Sequence, residues 1–204
     1  MAIKTFSVGE VLTTADTNTY LANAGLVLIT SGITVSSTGG TAATVSNGTV
    51  TVGSGNTSVT VSNAFSATYD SYKIQVVGGT ATANANMKFQ LSGITTNVYY
   101  AGVVSADVAG GGYIGASDNA TTQWNYVGWA GPTLNVMDMD LYNPFASTRK
   151  WYRSAPQVVI SGSFGFGSAV GECSGTASAS GFTISTGSGS FNSGSIRVYG
   201  YRKA

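Results

Sequence analysis

From Leu26 onward, apolar and polar residues alternate with a period of two, the mark of strands that bury one face. FNSGSIRVYGYRK, Phe191 to Lys203, is the clearest case. Asn192, Ser193 and Gly194 supply a turn, after which Ile196, Val198 and Gly200 face one way and Arg197, Tyr199 and Tyr201 the other. The best upstream partner is YKIQVV, Tyr72 to Val77, so strands over 72–78 and 194–202 are expected side by side in the middle of a sheet. Further strands are expected at 57–62, 86–92, 97–104, 124–129, 134–142, 156–163, 168–178 and 182–186, separated by turn signals. Shorter runs at 26–30, 33–36, 43–46 and 49–52 precede them, and Asn47-Gly48 between the last two is the strongest short hairpin signal available. The pattern predicts an all-β fold, an antiparallel β-sandwich of jelly-roll type over 56–204, with a small β-hairpin region over 26–55.

Residues 1–25 read differently. Thr13 or Thr14 can cap a short helix, Asp16 falls in its first turn where the helix dipole favours an anion, and Gly25 stands where a left-handed C-terminal cap belongs. With Ala15, Tyr20, Leu21, Ala22 and Ala24, this is the one helical run the sequence predicts.

Composition narrows the function classes. Charged residues are only 8% of the chain, against roughly 25% in ordinary soluble domains, so much of the surface is expected to be covered by copies or partners. A net charge of +1 with dispersed basic residues argues against nucleic acid. Cys173 is the single cysteine, so no disulfide within the chain is expected. MAIKTFSVGEVL lacks an apolar segment followed by a cleavage site, and no run of about 20 apolar residues occurs. Neither a signal peptide nor a membrane span is expected.

Candidate chemistry is thin. Histidine is absent, which removes imidazole bases, Ser-His-Asp triads and the commonest zinc ligand. Asp138 and Asp140 share one strand face opposite Met137, Met139 and Leu141, and fit either an outward polar face beside an inward apolar one or a paired-carboxylate glycosidase site. Gly39-Gly40 and Gly110-Gly111-Gly112 lack a following Lys-Ser/Thr, so they are not phosphate loops. Trp124 and Tyr126 share a predicted face, with Trp129 on the other, and fit either buried packing or sugar stacking. Tyr99, Tyr100 and Tyr113 fit the same two roles. Arg149-Lys150-Trp151-Tyr152-Arg153 is the one basic-aromatic cluster, and the Asn-Pro turn before it suggests a loop. No enzyme activity and no cofactor is expected.

Two stretches carry a resemblance. FSVGEVLTTADTNTYLANAG, through Phe6, Gly9, Val11, Leu12, Thr13, Ala15, Asn18, Tyr20 and Leu21, is similar to the opening segment of many tailed-bacteriophage tail and virion proteins. Gly181, Phe182, Ile184, Phe191, Gly194, Tyr199 and Gly200 resemble the end of a β-sandwich domain of phage structural proteins. The resemblance implies a non-enzymatic virion component assembled in the host cytoplasm. Residues 1–25 would dock on capsid or tail through Phe6, Val11, Leu12, Tyr20 and Leu21, and the sandwich would assemble with itself, as a homotrimer, in a decoration, fibre or tail-accessory role. The alternative is a tail protein that binds a host receptor or glycan, with Trp124, Tyr126, Arg149 and Trp151 as contacts.

Overall fold

The computed structural model describes residues 7–11, 13, 25–107, 112–160 and 163–202. The helix expected at the N-terminus falls outside them, as do Phe6, Leu12, Tyr20 and Leu21. The strands are β1 (Leu26–Leu28), β2 (Thr34–Thr38), β3 (Thr44–Ser46), β4 (Thr49–Thr51), β5 (Ser58–Ser62), β6 (Tyr69–Ala81), β7 (Ala85–Leu91), β8 (Tyr99–Asp107), β9 (Tyr113–Thr121), β10 (Trp124–Ala130), β11 (Leu134–Tyr142), β12 (Lys150–Ile160), β13 (Ser163–Cys173), β14 (Phe182–Thr186) and β15 (Phe191–Arg202). They form two antiparallel sheets. The larger runs β3-β4-β15-β6-β11-β12-β13-β8-β9, with β1 beside β4 along the same side of β15; the smaller runs β10-β7-β14-β5-β2.

The alternation read from the sequence is the alternation observed. Ile196 and Val198 are buried while Arg197, Tyr199 and Tyr201 lie half-exposed, and β15 pairs with β6 inside the large sheet. β11 and β14 keep their predicted bounds, and Met137, Met139 and Leu141 point into the core. Asn47 and Gly48 both have positive φ, 47° and 74°, the conformation a two-residue hairpin between right-twisted strands requires, and they join β3 to β4. A side chain on Gly48 would also collide with the Ile29 carbonyl.

One core serves both sheets. Trp124 of β10 is fully buried and packs at 4.6 Å, tilted by 55°, against Tyr152 of β12 and at 5.1 Å, edge-on, against Tyr99 of β8, with Phe89 of β7 behind it. Burying aromatics of this size contributes roughly 2–3 kcal/mol each. Hydrogen bonds complete the seam between the sheets. The Tyr152 hydroxyl donates to the Tyr126 carbonyl, the Ser154 hydroxyl to the Val127 carbonyl, and Trp124 Nε1 to the Glu172 carbonyl.

Several expectations need correction. Residues 26–55 are not a unit apart: β1 and β4 pair with β15, β2 pairs with β5, and fully buried Asn56 ties the segment down. Its amide nitrogen donates to the Gly39 and Thr41 carbonyls and its oxygen accepts from Gly53 N. The Arg149–Arg153 cluster is no loop, because β12 begins at Lys150 and alternates through it, with Lys150, Tyr152 and Ser154 inward and Trp151 and Arg153 outward. Strand β9, hidden in YIGASDNAT by its Gly, Asp and Asn, was not expected. Trp124 and Tyr126 do not share a face. A register shift between Trp124 and Gly128 breaks the alternation and turns Trp124 and Val127 inward, leaving Tyr126 half-buried.

Candidate functional site

The outer face of the large sheet carries the residues left over once the core is filled, and hydrogen-bonded register sorts them into rows. One row runs Tyr201, Ser71, Tyr142, Trp151, Glu172 and Tyr100 across β15, β6, β11, β12, β13 and β8. The next holds Tyr199, Lys73, Asp140, Arg153, Val170, Gly102 and Ser117. Farther along the strands, Val104 lies between Ser168 and Gly115, and Ala106 between Phe166 and Tyr113.

On the β15-β6-β11 side this face is polar and self-satisfied. Lys73 Nζ lies 2.8 Å from Asp138 and 3.7 Å from Asp140, Arg153 Nε 2.9 Å from Asp140, and the Tyr201 hydroxyl donates to Asp140 at 2.8 Å. Burial alone would push the Asp140 carboxyl up. The hydrogen bonds from Tyr201 and Arg153, with the charge of Lys73, outweigh it and hold the group below the usual carboxylate range. Burial pulls the Lys73 ammonium down, and the bond to Asp138 with the two carboxylate charges more than restores it. A general acid needs the opposite shift, a carboxyl raised toward neutrality, so Asp140 has the electrostatics of a structural ion cluster.

On the β12-β13-β8-β9 side the face is apolar and open. Val104 is 61% exposed, Val170 55%, Phe166 49% and Tyr113 83%. At the end of this region Trp151, 43% exposed, and Tyr100 flank an open groove of about 400 Å³ with Val170, Gly102 and Glu172 along it. A Cβ on Gly102 would meet nothing within 4 Å, so the space above it is free. Arg149 reaches over the rim to Glu172 at 2.7 Å.

Of the residues proposed as glycan or receptor contacts, Trp124 is withdrawn into the core, where its ring has no face to offer, and Tyr126 contributes its carbonyl to the seam between the sheets. Arg149 and Trp151 stay at the surface, Trp151 on the same groove as Tyr100 and Arg149 paired with Glu172 of its lining. Tyr99 is buried, its hydroxyl donating to the Ile94 carbonyl. Val11 is exposed, next to a turn closed by Glu10 N to the Ser7 carbonyl. Sequence reasoning missed Val104, Phe166, Val170 and Glu172. The signal was present in SFGFGSAVGEC, where Phe166, Ser168, Val170 and Glu172 alternate, but the glycines obscured the first half of the strand.

Buried Lys150 and Cys173 face each other across β12 and β13. Burial lowers the lysine's affinity for its proton and raises that of the thiol. Lys150 Nζ donates to the Thr148 carbonyl at 2.5 Å and the Gly175 carbonyl at 3.0 Å, which fastens the two turns beside the strands. Among the described residues no group of three or more His, Cys, Asp or Glu is placed to hold a metal ion. Compared with known proteins, the chain matches no family model, no curated protein and no solved structure.

Proposed function

We propose that the chain is a non-enzymatic structural component of a tailed-phage virion. In this reading the two sheets form a jelly-roll-like β-sandwich, residues 1–25 dock on capsid or tail, and the sandwich assembles with copies of itself as a homotrimer in a decoration, fibre or tail-accessory role. The observation that carries the assembly is the cluster of Val104, Tyr113, Phe166 and Val170 on one half of one sheet face. Scattered exposed apolar side chains are ordinary, but a contiguous group on a chain with 8% charged residues favours a protein partner over water. The likeness of FSVGEVLTTADTNTYLANAG and of the 181–200 region to phage virion proteins supports the setting.

Analytical ultracentrifugation of the full chain tests the assembly. A trimeric mass at tens of micromolar is expected, and a monomer across that range overturns it. Mass spectrometry and electron cryomicroscopy of purified particles test the setting, with density for the sandwich on head or tail as the expected result.

A further inference from the structure

We infer that the row Tyr142, Trp151, Glu172 and Tyr100 is a platform for an extended oligosaccharide laid across the strands. The inference does not depend on how the chain assembles. These four residues are directly opposite one another in register on four consecutive strands, β11, β12, β13 and β8. Neighbouring strands lie about 4.8 Å apart, so Trp151 and Tyr100, two strands apart, are spaced by about 10 Å. That matches alternate units of an extended hexose chain.

The chemistry of the row fits a sugar better than its competitors. A pyranose has an apolar C–H face, which stacks on an aromatic ring, and a rim of hydroxyls, which donate to carboxylates. Trp151 and Tyr100 supply the rings on either side of the groove, and Glu172, placed between them and held by Arg149, supplies the acceptor. The free space above Gly102 leaves room for the sugar beside Tyr100. A nucleic acid would also stack, but its phosphates would meet Glu172 in this row and Asp140 in the next. A β-strand peptide needs an open sheet edge, and β11, β12 and β13 are paired on both sides. The row meets the assembly surface only at Val170, two residues from Glu172 on β13, whereas Phe166 lies six residues away, about 20 Å at the strand rise.

The test uses the full chain with four probes, extended cellohexaose, coiled maltohexaose, deacylated bacterial O-polysaccharide and oligothymidylate, followed by calorimetry. Saturable binding of cellohexaose or of the O-polysaccharide is expected, with Trp151→Ala and Tyr100→Ala each weakening it roughly tenfold. Phe166→Ser should leave it unchanged. Should Trp151→Ala fail to fold, acrylamide quenching of the unmodified chain reads the same contact. Trp151 is the most exposed tryptophan, and saturation with the bound probe should protect it. No saturable binding of any probe overturns the inference, as does undiminished binding by folded Trp151→Ala. Tighter binding of maltohexaose overturns the extended fit, and binding of oligothymidylate in place of the sugars assigns the row to nucleic acid.

Discussion

The two halves of the large sheet's outer face are built on the same alternation and end with opposite properties. Around β6 and β11, outward positions are Lys73, Asp138 and Asp140, joined by Arg153 and Tyr201, and nearly every charge there has its partner within the chain. Around β13, β8 and β9 they are Val170, Val104, Phe166 and Tyr113, large apolar side chains that stay exposed. A surface whose polar groups satisfy one another gains little from an added partner. One that leaves apolar side chains in water gains by covering them. The difference locates the candidate function on the second half and gives the first a structural role.

The largest effect is expected from breaking the polar half. Asp140→Ala leaves Lys73, Arg153 and Tyr201 without their shared acceptor and should cost about 2 kcal/mol in urea denaturation. A change below about 0.5 kcal/mol would mean that the cluster is ornamental. On the apolar half the double change Phe166→Ser with Val170→Ser should weaken self-association by roughly tenfold or more, read by sedimentation, with the urea midpoint nearly unmoved. Loss of folding stability without loss of association would reverse the assignment of the two halves.

Acidity separates the halves more gently. Asp140 holds its proton more weakly folded than unfolded, so the unfolded chain takes up a proton first as pH drops. Its stabilising contribution is complete above the ordinary carboxylate value of 3.8 and is lost as pH falls through the lower folded value. Asp140→Asn should flatten that acid limb in melts between pH 5 and pH 2. At the other extreme Lys73, raised by folding, contributes fully below 10.5 and loses its contribution as pH rises through its higher folded value. The smallest effect is expected at the rim, where Arg149→Ala removes an exposed ion pair with Glu172 and should change stability by less than about 0.5 kcal/mol. Association through the apolar half should be nearly indifferent to salt from 0.1 to 1 M, since no charge pair is needed to form it.

How much of this could be read without coordinates varies by element. β11 and β14 were legible to the residue because each strand has a clean apolar face, and the β3-β4 hairpin because Asn-Gly tolerates positive φ as few pairs do. β9 was not, since Gly115, Asp118 and Asn119 have turn chemistry, and only pairing with β8 makes them a strand. The start of β12 was hidden by Lys150, a charged residue at an inward position. Its burial makes sense only once the Thr148 and Gly175 carbonyls are seen around its ammonium.

The sequence alone determined the strands with regular alternation, their inward faces and the absence of histidine chemistry, because these depend on neighbours two residues away or on composition; the pairing of β15 with β6 was legible only as a match between two strongly alternating apolar runs. The tertiary structure decided which aromatics reach the surface. Trp124 and Trp151 look alike in sequence, each in a short aromatic run, but a bulge in β10 turns one ring into the core while the register of β12 turns the other outward beside Tyr100. Burial of a single side chain depends on what the opposite sheet places above it, and that is set by contacts between residues far apart in the chain.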